Sequence, residues 1–124
     1  MLGSADMVTF LASSDLARST AFYRDTLGLR LVEQGTFACV FDVNGSMLRV
    51  TSVPEVALAA YTVLGWKVPD IRPVVQGLKA AGVEFRRYDS LTQDDDDIWA
   101  TPGGDLVAWF ADPDGHTLSL TQFT

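Results

Sequence analysis

Apolar and polar residues alternate or recur at helical spacing in an order that repeats along the chain. Met7 to Ala12 reads as a strand, and Ser14 or Asp15 can then accept a hydrogen bond from the free amides that open a helix. Leu16, Thr20, Tyr23 and Leu27 form one stripe at helical spacing, so a helix is predicted to run to Leu27, with Gly28 as its left-handed stop. Leu29–Glu33, Thr36–Phe41 and Met47–Val53 read as three strands, divided by the turn formers Gln34-Gly35 and Asp42-Val43-Asn44-Gly45. The same order then returns. Tyr61–Val68 is a strand, Asp70 opens a helix with Ile71, Val74, Val75, Leu78 and Ala81 on its buried face, and Gly82 ends it. Val83–Tyr88, Ile98–Thr101, Leu106–Ala111 and His116–Gln122 complete the second copy, with Pro102-Gly103-Gly104-Asp105 as a hairpin turn and an insertion at Asp89–Asp97.

An internal repeat underlies this order. Phe41-Asp42-Val43-Asn44-Gly45-Ser46-Met47-Leu48-Arg49-Val50 returns as Ala111-Asp112-Pro113-Asp114-Gly115-His116-Thr117-Leu118-Ser119-Leu120, with Asp, Gly and Leu in the same places. Two βαβββ modules are therefore predicted, at about residues 5–55 and 60–124 of a single α+β domain. Neither has a partner for its open sheet face, so the expected architecture pairs them into a cup-shaped, curved mixed sheet backed by helices.

With 124 residues the chain can bury a self-sufficient core. It has neither a run of about 18 apolar residues nor a basic segment followed by an apolar one, so no membrane span and no signal peptide are expected. A formal net charge of −7 argues against a nucleic-acid partner and leaves room for a cationic one. The single cysteine, Cys39, fits a reducing cytoplasm.

Two motifs carry a resemblance. Ser14-Asp15-Leu16-Ala17-Arg18-Ser19-Thr20-Ala21-Phe22-Tyr23-Arg24-Asp25-Thr26-Leu27-Gly28-Leu29 near the start and Trp109-Phe110-Ala111-Asp112-Pro113-Asp114-Gly115-His116 near the end, set in paired βαβββ modules, resemble the vicinal oxygen chelate superfamily. That superfamily includes glyoxalase I, extradiol dioxygenases, fosfomycin-resistance enzymes and bleomycin-resistance proteins. The resemblance implies a divalent metal held by His or Glu on the first and last strands of each module. Those positions fall on Val8, Arg49, Val63 and Ser119, none of which replaces an imidazole or carboxylate donor. A permanent cation at Arg49 would also repel a divalent ion. The expected protein is thus a metal-free, cofactor-free member of the bleomycin-resistance-like branch, with no catalytic residue and with a small-molecule ligand, a cationic or aromatic antibiotic that it sequesters. The family further implies a homodimer.

Alternation from those positions puts Val8, Phe10 and Ala12, Met47, Arg49 and Thr51, Val63, Gly65 and Lys67, and Thr117, Ser119 and Thr121 on the ligand-facing side. Arg49 could instead be satisfied by a nearby carboxylate. Trp99 and Trp109 are candidate aromatic walls, and a two-residue turn pairing Ile98 with Trp109 would put them on opposite faces. His116, following Gly115, is expected to face water, and Cys39 to pack in the core. The two Asp-Gly loops are read as turns rather than calcium loops, because the closing Glu is missing. Gln93-Asp94-Asp95-Asp96-Asp97 is read as a solvated, mobile loop or as a lure for a cationic ligand near Trp99. Two other readings compete. One is a lyase, isomerase or dioxygenase whose metal is held by His116, Glu33, Glu84 or Asp94–Asp97, or a metal-independent acid/base enzyme using Tyr61, Glu84 or Asp89. The other is an interaction protein whose pocket is filled by its own side chains.

Overall fold

The computed structural model describes residues 1–124 and divides them into two compact units, Met1–Ala57 and Leu58–Thr124. In the first unit the strand β1 (Val8–Ser13) is followed by the helix α1 (Leu16–Ala21), which continues as a π-helical turn over Phe22–Thr26. The strands β2 (Arg30–Gln34), β3 (Ala38–Val43) and β4 (Ser46–Ser52) follow. They form one mixed sheet in the order β1-β4-β3-β2, in which only β1 and β4 run parallel.

Local chemistry sets these elements. The Asp15 carboxylate accepts a hydrogen bond from Arg18 N at 3.1 Å and caps α1. Ser13 and Ser19, both buried, share a hydroxyl–hydroxyl bond of 2.6 Å that ties the end of β1 to the helix. The helix was expected to stay regular to Leu27. Instead Leu27 N donates to Phe22 O, and the wider turn seats Tyr23, fully buried, against Phe22 and Phe41 at ring separations of 5.1 and 6.0 Å. The β3–β4 connection is shorter than the four residues read from sequence. Asn44 and Gly45 take φ of +50° and +91° between the paired residues Val43 and Ser46, which is a two-residue hairpin of the kind Asn-Gly favours.

The second unit repeats the plan. It comprises β5 (Leu64–Lys67), α2 (Ile71–Ala80), β6 (Phe85–Arg86), β7 (Trp99–Ala100), β8 (Leu106–Ala111) and β9 (Thr117–Gln122). The strand order is β5-β9-β8-β6, with β5 parallel to β9 and with β7 also paired to β8. Both β6 and β7 lie antiparallel to β8, pairing with Phe110 and Trp109, and with Val107 and Leu106. Together they occupy the place that β2 fills alone in the first sheet. The insertion separates them.

Each unit has its own core on the helix-covered side of its sheet. In the first unit, Leu11, Phe41, Leu48 and Val50 are buried on that side with Tyr23. In the second, Ile71 and Val75 of α2 are buried with Phe110, Leu118 and Leu120, and Trp66 and Phe85 lie 6.3 and 5.3 Å from the Phe110 ring. Cys39 is buried as well, in keeping with a packing role. The alternate residues of each strand point away from the helix. His116 belongs to the helix side. It was expected to face water, but it is 5% exposed, because it shares the parity of Leu118 and Leu120 on the approach to β9.

Candidate functional site

Pairing registers define two open sheet faces. On the first unit Val8 lies beside Met47, Phe10 beside Arg49 and Ala12 beside Thr51, with Ala38, Val40 and Asp42 continuing those rows on β3. These side chains point away from α1. Phe10 is 65% exposed, and Val8, Met47 and Val32 are exposed as well. Arg49 is half-buried and makes no ion pair, so the carboxylate partner considered for it is not there. A groove of about 210 Å³ on this unit runs between Val32, Val40 and Met47 beside Asp42, whose carboxylate is already held by Arg30 at 3.1 Å.

The second open face is richer in donors and rings. One row reads Gly65, Ser119, Trp109, Arg86 across β5, β9, β8 and β6, and the next reads Lys67, Thr121, Val107, Trp99. Thr117 precedes Ser119 on the same side, and Val63 N donates to Thr117 O at 3.0 Å. Gly65 has a local role. A Cβ at this position would lie 2.9 Å from Ser119 Oγ, so the missing side chain is what lets that hydroxyl pack against the β5 backbone.

Trp99 and Trp109 stand on this same face, contrary to the expectation of opposite faces. The β7–β8 connection spans Thr101–Asp105, closed by Thr101 N to Asp105 O at 2.8 Å, so Trp99 pairs with Val107 and not Ile98 with Trp109. A one-residue slip in register turns a side chain to the other side of the sheet. The two indoles lie 6.0 Å apart, and Tyr88 meets Trp109 edge-on at 5.3 Å. Three aromatic rings therefore form one continuous surface, to which sequence reasoning did not assign Tyr88 or Arg86. Their only signal was the period-two spacing of Arg86 and Tyr88 in the strand entering the insertion.

The insertion itself is pinned. Gln93, 8% exposed, accepts from Tyr88 N at 2.7 Å and donates to Arg86 O and Asp97 O at 2.9 and 2.8 Å. Arg72 of α2 bonds Asp94 and Asp96, while Lys79 and Arg87 both reach Asp97. Burial pushes the Asp97 carboxyl upward, but hydrogen bonds from Lys79 and Arg87 outweigh it and leave its pKa below the ordinary value. Asp94 follows the same balance, with Arg72 and the amides of Ile98 and Asp96 opposing burial. The acidic run is thus neither a loose solvated segment nor a lure for cations. Basic side chains brought in by α2 and by the residue after β6 occupy the carboxylates of Asp94, Asp96 and Asp97 and leave Asp95 exposed.

The architecture and motifs match a known family over nearly the whole chain. The model of the Glyoxalase/Bleomycin resistance protein/Dioxygenase superfamily matches residues 5–120. The chain belongs to this superfamily. Among solved members of the fold, it is similar to lactoylglutathione lyase from Agrobacterium tumefaciens, with 19% identity, a TM-score of 0.76 and coverage of 98% of this chain and 96% of that one. It is also similar to the fosfomycin resistance protein FosX from Listeria monocytogenes, with 18% identity, a TM-score of 0.76 and coverage of 98% and 94%. TioX from Micromonospora sp. ML1 aligns with 22% identity and a TM-score of 0.73, covering 98% of this chain and all of that one. At these identities the likeness establishes the fold and leaves activity to the site.

The superfamily's divalent metal does not fit the residues present. Val8 and Val63 offer alkyl groups, Arg49 a fixed cation and Ser119 a neutral hydroxyl. Nowhere do three or more His, Cys, Asp or Glu side chains come together in a grouping able to hold an ion, which covers His116, Glu33, Glu84 and the Asp94–Asp97 run. No helix is long and apolar enough to cross a membrane.

Proposed function

We propose that this superfamily member is a metal-independent small-molecule binding protein of the bleomycin-resistance type, acting by sequestration rather than turnover. The observation that carries this reading is the surface formed by Trp99, Trp109 and Tyr88, bordered by the half-buried Thr121, while Thr117 and Ser119 of the same strand are buried. The neighbouring indole and phenol rings offer dispersion and quadrupole contacts to a planar organic molecule, and the Thr121 hydroxyl can meet its polar edge. Nothing on that face is a nucleophile backed by a base, and no pair of carboxylates stands ready for acid/base work. Planar aromatic antibiotics are the candidate ligands. The first unit's face of Val8, Phe10, Met47, Arg49 and Thr51 is proposed as a ligand-contacting surface in its own right, and Val63 as part of the second unit's own surface.

The reading also includes a homodimer, in which a second copy covers part of the apolar face around Phe10 and Met47, and a cytoplasmic location, where the lone buried thiol of Cys39 stays reduced. The test is tryptophan-fluorescence and thermal-shift titration against a panel of planar aromatic natural products. Sub-micromolar to low-micromolar quenching without turnover is expected, and the absence of any binder tighter than high micromolar would sink the reading. Stoichiometric Zn, Ni, Mn or Fe in protein purified without chelator would favour a glyoxalase-like lyase or dioxygenase instead.

A further inference from the structure

Apart from Arg18, which bonds Ser14 Oγ, the basic residues divide into two sets. The chain has 16 acidic and nine basic residues, so carboxylates are in surplus. Arg24, Arg30, Arg72, Lys79 and Arg87 each reach one. Arg49, Lys67 and Arg86 reach none, and all three stand on open sheet faces, Lys67 and Arg86 on the face that carries the aromatic surface.

Arg86 is the most informative of them. It is half-buried, and its guanidinium is held by the Thr117 hydroxyl and by Gly115 O, both neutral acceptors. Two of its five N–H groups are used in this way, and the charge delocalised over the guanidinium has no counter-ion. Cation–ring contact does not satisfy it either, since the one such contact in the chain is Lys79 over Phe85 at 5.8 Å. A partly desolvated guanidinium fixed by neutral acceptors is costly to keep unless a negative group arrives from outside.

Resting on the small-molecule reading above, we propose that the ligand of the second unit's open face is an anionic planar aromatic molecule. Its ring system lies on Trp109 and Trp99, and its carboxylate or comparable acidic group is received by Arg86, with Lys67 adding attraction from the opposite edge of the sheet. The acidity of the chain as a whole points the other way and is overruled locally. Among the carboxylates close to the rings in sequence, Asp94, Asp96 and Asp97 are already paired with cations, while Asp89 and Asp95 are exposed and make no ion pair.

The experiment uses three probes of matched shape, anthraquinone-2-carboxylate, its carboxamide and the aminomethyl analogue, titrated by tryptophan quenching. The carboxylate is expected to bind about 10-fold more tightly than the other two. Arg86→Met should bring it to the level of the carboxamide, which itself changes by less than about 2-fold, and Lys67→Met should cost the carboxylate about 3-fold. Because Arg86 also bonds Thr117 and Gly115, circular dichroism checks that its variant folds. If it does not, Lys67→Met and a selective loss of carboxylate affinity at raised salt decide the matter. Equal or tighter binding of the amine overturns the anion preference and leaves the small-molecule reading standing. No quenching by any of the three overturns both.

Discussion

The two units share a strand order and differ in what interrupts it. In the first, a continuous β2 borders β3, the β3–β4 turn is two residues long, and the open face is mostly aliphatic. In the second, the corresponding edge is split into β6 and β7 by a segment carrying Gln93 and the aspartates, and the open face is aromatic. The repeat supplies the framework, and the interruption supplies the chemistry. Tyr88 and Trp99 flank the inserted segment, and Gln93 fastens them by bonding Tyr88 N and bridging to Trp99 as an isolated β-pair. Charge follows the same division. The segment's ion pairs hold Asp94, Asp96 and Asp97, whereas Arg86 and Lys67 on the open face have no carboxylate partner.

If the inserted segment holds the aromatic surface, its buried amide should matter most. Gln93→Leu strands Tyr88 N, Arg86 O and Asp97 O, and is expected to cost about 3 kcal/mol in denaturant unfolding. It should also shift tryptophan fluorescence, while amide exchange in the first unit changes little. Asp97→Ala removes the shared partner of Lys79 and Arg87 from a side chain only 13% exposed, and places alanine at a φ of +63°. About 2 kcal/mol is the expected loss, measured the same way.

The matching experiment in the first unit is Ser13→Ala. It breaks the bond to Ser19 and the acceptor for Asp15 N, and about 1 kcal/mol should be lost, with exchange rising in α1 and not in the inserted segment. Acid provides a gentler perturbation. Asp94 and Asp97 have folded pKa values below the ordinary 3.8, so their stabilisation is complete above that value and disappears as pH falls through the lower folded ones. Indole fluorescence should therefore change in acid before far-ultraviolet dichroism does, and coincident transitions would remove the distinction between the regions. Arg24→Ala is the control of least effect. Its pair with Asp25 is solvent-exposed, and the melting temperature should not move beyond measurement error.

The duplication, the strand and helix order and the side of each sheet taken by Val8, Phe10, Met47, Arg49, Thr51, Thr117 and Ser119 were legible in the residues alone. Each depends on interactions between near neighbours in sequence: period-two alternation, a helical stripe, and Asn44-Gly45 closing a hairpin. The resemblance to the superfamily, carried by motifs in the sequence, further implies metal positions at Val8, Arg49, Val63 and Ser119, residue types that are not donors for such an ion.

What sequence did not decide has one cause, which is dependence on a distant partner. The facing of Trp99 relative to Trp109 turned on the length of the Thr101–Asp105 connection, where one residue reverses a side chain. His116 follows a glycine turn, a place that reads as exposed, yet the parity of β9 carries it under the sheet. The acidic run looked self-repelling because Arg72 and Lys79 stand far back in the chain, and only folding brings α2 beside it. Sequence thus determined the repeated scaffold, through short-range geometry. Tertiary structure decided which charges cancel and which rings meet, because those are contacts between segments that only packing brings together.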